Sequence, residues 1–321
     1  ERLLASIQKG LAFLKAHQED DGHFVTGRLA PKPAFTALAV SAFRKSPYRY
    51  EVNGHPFLEK AVQAVLASQK DNGSIHADIP GMSFSNYSTG LALVALQEID
   101  DSALQPAIDK AAAYLKLGIH KGDEGDPHAG GAGYNRGARP DLNNTMTVAE
   151  ALHKSGIPKD DPVFKEIEQF VANTQNRPES NPQAWASSDP EHQGGFVYRP
   201  AESPAGSWTD RDGQKHYASY GTMTYAGLVT FLYAYVDKDD PRVQSAWDWI
   251  CRNYDLDENV NMKDVGLYYY YRIMAKALHA YGERYVTEPS GVKHDWARDL
   301  AKHLMDLQEP NGSWINANTK Y

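Results

Sequence analysis

Three stretches of the chain repeat one spacing: Gln18, Gly22 and Phe24; Gln69, Gly73 and Ile75; Gln308, Gly312 and Trp314. Each closes a segment of similar helical pattern, GLAFLKAHQEDDGHF, AVQAVLASQKDNGSI and LAKHLMDLQEPNGSW. A unit recurring at roughly 50 residues marks a repeat architecture, because one such unit cannot bury its apolar face alone and must stack on a neighbour. The physical reading is a helix whose last turn ends at Gln, a polar turn that needs Gly, and an apolar plug. Glycine supplies the positive φ that a chain leaving a helix takes up. The Gln side chain can reach backbone groups that a helix end leaves unpaired. The repeat therefore dictates architecture before it says anything about chemistry.

Along the chain, helical patterns come in pairs. The first of each pair is a mixed amphipathic helix: Leu3–Gln18, Phe57–Gln69, Ala103–Leu117, Val163–Gln175, Val243–Asn253 and Trp296–Gln308. The second is smaller and more apolar: Ala34–Arg44, Tyr87–Ile99, Asn144–Ser155, Thr222–Val236 and Gly266–Tyr281. A helix apolar on most faces is buried, whereas one with a polar stripe faces solvent on that side. The alternation predicts an all-α fold, an α/α toroid of about six helix pairs forming one domain over residues 1–321. Inner helices would aim their N-termini at a central cavity. The chain stops at Tyr321, before a sixth inner helix, so that helix is expected to be missing here and the natural chain to run on.

A chain of 321 residues buries enough surface to need no staples. The net charge of −8, with no block of Lys and Arg, argues against nucleic acid as a partner. The single cysteine, Cys251, excludes an internal disulfide and a Cys-rich metal site, and leaves the compartment open. No apolar run approaches the ~20 residues a membrane-spanning helix needs. The chain opens on Glu1 rather than Met, the expected mark of a trimmed start or of a removed export signal.

Asp160-Asp161-Pro162 and Asp239-Asp240-Pro241 stand just before two outer helices and read as caps, with Asp on free amides and Pro in the first helical position. Two long inserts break the period: His120 to Pro140, rich in Gly and His, and Asn176 to His216. Loops this long in a compact fold usually bind or cover a ligand. Both precede inner helices and so would sit at the same mouth of the cavity.

The repeated Gln-to-Gly spacing, the paired helices and the stretch from Ser219 to Gly227 (SYGTMTYAG) resemble the squalene–hopene cyclase and protein prenyltransferase β-subunit superfamily. Within it the chain looks most like the single-ring prenyltransferase/squalene-oxidase-repeat proteins of bacteria. The resemblance covers nearly the whole chain and implies the toroid. It implies activity far less, because one fold carries many functions. Cyclases of this kind protonate an alkene with the middle acid of an Asp-x-Asp-Asp-Thr motif. The matching segment here is Asp141-Leu142-Asn143-Asn144-Thr145, with an amide where the proton donor would stand. The prenyltransferase zinc set also fails to map: Cys251 shares a helical face with Asp248, but on an outer helix.

The expected cavity mouth combines Asp141, as the candidate catalytic or cap carboxylate, with Asn143, Asn144, Tyr217, Tyr220 and Tyr268, and with His76 and Tyr87 nearby. Of the run Tyr268 to Tyr271, which spans a full turn, only one or two can face inward. Aromatic walls can stabilise carbocations, hold a lipid chain or stack on sugars. The expectation is an aromatic cavity that binds, or transforms by some other group, an isoprenoid or other small hydrophobic ligand. No metal and no cofactor is expected. The alternative is a carbohydrate-active or glycan-binding toroid, using acids such as Asp126, Asp189 and Glu191 beside His120, His128 and His192.

Overall fold

The computed structural model describes residues 1–24 and 30–318. Six outer helices alternate with five inner ones. The outer set is α1 (Arg2–Ala16), α3 (Pro56–Ala67), α5 (Gln105–Leu117), α7 (Pro162–Ala172), α9 (Pro241–Arg252) and α11 (Trp296–Leu307). The inner set is α2 (Lys32–Lys45), α4 (Ser85–Gln97), α6 (Leu142–Lys154), α8 (Gly221–Tyr233) and α10 (Leu267–Tyr281). Each inner helix packs on the next, from α2 through to α10. The outer ring closes where α1 meets α11. There Arg2 pairs with Asp306 at 2.6 Å, Gln308 Nε2 donates to the Ser6 carbonyl at 3.0 Å, and Trp314 packs over Gly10. No sixth inner helix occurs among the described residues, and no helix among them is long and apolar enough to cross a membrane.

Local chemistry sets the helix ends. Asp161 and Asp240 each accept a backbone N–H of the first turn beside a Pro at the first position, as the Asp-Asp-Pro pattern predicts. α4 and α8 are buried on nearly every face, whereas α9 and α11 bury one stripe.

The joints between outer helices repeat a fixed set of contacts. Gln18 Nε2 donates to the carbonyls of Gly22 and of Phe57 at the start of the next outer helix. Gln69 does the same to Gly73 and Ala107, and Gln308 to Gly312 and Ser6. A fourth joint follows the same rule although its members lie 19 apart in sequence: Gln175 donates to Gly194 and Arg242. A fifth keeps the glycine, Gly130, with buried Ile119 in place of Gln. The glycine is forced on two counts. At Gly194, φ is +90° and a Cβ would lie 2.1 Å from the Ser245 carbonyl oxygen.

A second repeating contact ties each plug to an inner helix. Thr36, Thr89, Thr145 and Thr224 each accept the backbone N–H of a plug residue: Phe24, Ile75, Ala132 and Phe196. Thr145, the matching Thr of the cyclase-like segment, is thus one of four equivalent clamps. In α10 the same place is held by Tyr271, whose hydroxyl donates to the Leu256 carbonyl.

The all-α expectation needs one small addition. Two hairpins, β1 (Ser207–Thr209) with β2 (Lys215–Tyr217) and β3 (Tyr285–Thr287) with β4 (Lys293–Asp295), precede α8 and α11. They share a pattern, Thr-Asp/Glu, a Gly three residues on, then Lys-His. In each, the histidine closes on the acid: His216 on Asp210 at 3.0 Å, and His294 on Glu288 at 2.8 Å.

Candidate functional site

The first turns of all five inner helices meet around a cavity of about 770 Å³. Phe35 of α2, Tyr87 of α4, Asn143 of α6, Thr222 and Met223 of α8 and Tyr269 of α10 point into it. The inserts and loops supply the rest of the wall, among them Phe84, Tyr134, Tyr198, Pro204, Met262 and Val265. The lining is mainly aromatic and aliphatic. Its polar members are few, and Glu202, the one carboxylate among the described lining residues, is held by Arg139 at 3.1 Å.

On α4, α6, α8 and α10 one inward position follows a rule set by the clamp. Tyr87, Asn143, Thr222 and Tyr269 each stand two residues before the clamp residue of their helix: Thr89, Thr145, Thr224 and Tyr271. The clamp fixes the helix rotation, and a step of two residues back turns the side chain from the plug to the cavity.

Hydrogen bonds organise the polar part of the wall. Tyr269 donates to Asn143 Oδ1, and Tyr134 hydrogen-bonds both Asn143 and Tyr198. Tyr198 in turn bonds the carboxylate of Asp141. Asp141 lies fully buried behind this layer as the N-cap of α6. Its two oxygens accept from the Asn144 backbone N–H at 2.9 Å and from Asn144 Nδ2 at 2.8 Å. Burial pushes the Asp141 carboxyl upward, against the pull of the Asn144 donors, Arg199 and Tyr198. Burial likewise raises Tyr134 and Tyr198, and the Asp141 charge adds to the rise in both.

Below the cavity, two turns further along the inner helices, lies a charged floor. Glu150 of α6 pairs with Lys276 of α10 across the barrel, and with Lys154 at 2.9 Å. Burial alone would raise Glu150, but the two ammonium groups bring it down to about 2. Lys276 is lowered to about 8 by burial, with Glu150 opposing and Arg272 adding to the drop.

Of the sequence-derived site residues, the structure brings Tyr87, Asn143 and Tyr220 to the cavity wall. Asp141 and Asn144 sit one layer behind it. Three others lie away from it. Tyr217 packs on Trp185 in a separate small cluster, and His76 stands 3.7 Å from exposed Asp78. Tyr268 turns toward Ile315, and its neighbour Tyr269 takes the inward direction, because α10 begins at Leu267 and each residue rotates the side chain by about 100°. Tyr134, Tyr198, Phe35 and Met262 carried no distinct sequence signal, since three of them come from loops. Tyr269 did carry one, its place two residues before a clamp. In the inserts His120 pairs with Asp126 at 2.7 Å, His128 accepts from Arg139 and His192 stacks on Trp208, and no His/Cys/Asp/Glu group able to hold a metal occurs among the described residues.

No family model matches the chain, and no curated protein matches it. Among solved structures, a protein from Actinoplanes is similar at 17% identity over 98% of this chain and 83% of its own, with a TM-score of 0.57. That likeness shows a shared fold. The type II terpene cyclase MstE from Scytonema in its apo form aligns at 14% identity, over 98% of this chain and 71% of that one, with a TM-score of 0.41. A variant of it in complex with geranylgeranyl dihydroxybenzoate, its substrate, aligns at 13% identity over 98% and 70%, with a TM-score of 0.42.

Proposed function

We propose that this chain, as one toroidal domain, encloses an isoprenoid or similarly elongated hydrophobic ligand in the aromatic cavity, and that it does not carry out Asp-initiated cyclisation. The observation that carries the reading is the cavity itself: about 770 Å³ at the N-terminal ends of five inner helices, walled by Phe35, Phe84, Tyr87, Tyr134, Tyr198, Met223, Met262 and Tyr269. Pockets of this size and lining suit one ligand of prenyl dimensions. Ring faces and thioethers accommodate an alkene chain without asking it to hydrogen-bond.

Protonating an alkene requires an acid pointed at it. The inward side chain at the matching place is Asn143, an amide already hydrogen-bonded by Tyr134 and Tyr269. Asp141 faces the backbone of its own helix, with both oxygens accepting hydrogen bonds. Glycoside hydrolysis needs two carboxylates across a scissile bond, and Glu202 is the one carboxylate among the described lining residues, so the glycan reading has less support.

Native mass spectrometry of the protein with squalene and with geranylgeraniol, followed by product analysis, tests the proposal. One bound prenyl ligand per chain, recovered unchanged, is the expected outcome. Cyclised product lost in Asp141→Ala would make Asp141 a proton donor and contradict it. Absence of any bound prenyl ligand would overturn the cavity reading.

A further inference from the structure

Tyr269, Arg272 and Lys276 of α10 stand three and seven residues apart and share one helical face. The two ends of that face are fixed by contacts. Tyr269 lines the cavity, and Lys276 reaches across the barrel to Glu150, which itself lies two turns below Asn143 on α6. Arg272, between them, therefore also faces the central space, one turn beneath the cavity wall. Its charge acts on groups of three inner helices: Tyr87 of α4, Tyr233 of α8, and Tyr269 and Lys276 of α10.

The other cations at this level of the interior have anions among the described residues. Lys276 is held by Glu150, and Lys154 by Glu150 at 2.9 Å and Glu98 at 3.7 Å. Arg272 is partly buried and makes no hydrogen bond or ion pair among the described residues. A charge held in a walled space without a partner is costly, and a guanidinium does not escape the cost by losing its proton. The surplus is one positive charge. Its planar fork of donors matches two coplanar oxygens.

Resting on the cavity reading above, we propose that the enclosed ligand is a carboxylic acid, bound head-first, with its carboxylate on Arg272 and its apolar body between Tyr87, Met223 and Tyr269. A single surplus charge suits a monoanion. A diphosphate would bring several negative charges and ordinarily a metal ion with them, and no cluster able to hold one occurs among the described residues. The inner-helix N-termini ringing the cavity add a positive field that favours an anion entering past them.

The test uses three probes with one C20 chain: geranylgeranoic acid, geranylgeraniol and geranylgeranyl diphosphate, each titrated by native mass spectrometry against wild type, Arg272→Gln and Arg272→Lys. The acid is expected to bind wild type at least tenfold more tightly than the alcohol or the diphosphate. Arg272→Gln should bring the acid down to the alcohol's affinity and leave the alcohol unchanged, while Arg272→Lys keeps part of the preference. Removing an unpaired cation should also raise the melting temperature of Arg272→Gln, which a structural role for the arginine would lower. Equal binding of acid and alcohol to wild type, a preference for the diphosphate, or an acid preference that survives Arg272→Gln would overturn the carboxylate assignment alone. Failure of all three probes to bind would overturn the cavity reading with it.

Discussion

The joints of the ring and the first turns of its inner helices are built from the same repeat, yet they treat it in opposite ways. At the joints, Gln18, Gln69, Gln175 and Gln308 make the same two hydrogen bonds, and the clamp threonines 36, 89, 145 and 224 hold the same kind of N–H. Two residues before the clamp, the repeat loosens: Tyr87, Asn143, Thr222 and Tyr269 occupy equivalent places with three different side chains, a phenol, an amide and a small hydroxyl. Geometry common to every unit is what stacking needs. A ligand breaks the symmetry of the ring, so the side chains that meet it need not match from unit to unit. The lesson is that repetition marks the scaffold, and its interruption marks the site.

The most severe way to break this comparison is at a joint glycine. In Gly194→Ala the new methyl would sit 2.1 Å from the Ser245 carbonyl oxygen at a φ of +90°. A loss of more than about 3 kcal/mol, or failure to fold, is expected. Urea unfolding measures it, and a variant as stable as wild type would remove the joints from the account.

Next in size is the charged floor. The Glu150 carboxyl sits at about 2 in the folded chain against an ordinary 4.5. A depressed carboxyl stabilises the fold above its unfolded value, and that contribution drains away as pH falls from about 4.5 toward 2. Its size is about 3 kcal/mol. The wild-type urea midpoint should therefore drop faster than that of Glu150→Gln over this window, the two converging in acid. Parallel curves would show that the Lys276 and Lys154 contacts do not stabilise the carboxylate.

Gln175→Ala comes third. It leaves the carbonyls of Gly194 and Arg242 without their donor, at a cost of about 1–3 kcal/mol. Ligand affinity should be untouched, because Gln175 lies in the wall of the ring. The smallest stability effect belongs to Asn143→Ala, under about 1 kcal/mol, since its partners Tyr134 and Tyr269 face the cavity. Its effect should appear in binding. A large loss of stability without a change in binding would return Asn143 to a structural role.

What the sequence made legible follows the same division. Intact motifs at Gln18, Gln69 and Gln308 exposed the ring, and the Asp-Asp-Pro caps placed two outer helices. The joint at Gln175 escaped notice because an insert separates it from Gly194, although the chain returns to the same contact in space. The inserts were recognisable as mouth segments, but which of their side chains reach inward depends on turns with no periodicity, so Tyr134 and Tyr198 were invisible. The choice of Tyr268 over Tyr269 turned on where α10 begins, a matter of one residue. Arg272 could not stand out, because being unpaired is a property of three-dimensional surroundings rather than of a residue type.

The most direct test pairs two substitutions on one turn of α8. Thr222→Phe places a ring in the cavity, whereas Thr224→Val removes the hydroxyl that accepts the Phe196 N–H at 3.2 Å and leaves the cavity alone. Stability by urea unfolding and prenyl-ligand binding by native mass spectrometry are measured on both. The account predicts that Thr222→Phe loses binding at near-wild-type stability, and that Thr224→Val loses about 1–3 kcal/mol of stability while still binding. The reverse pattern, or equal losses of both properties in both variants, would contradict the separation of scaffold from site.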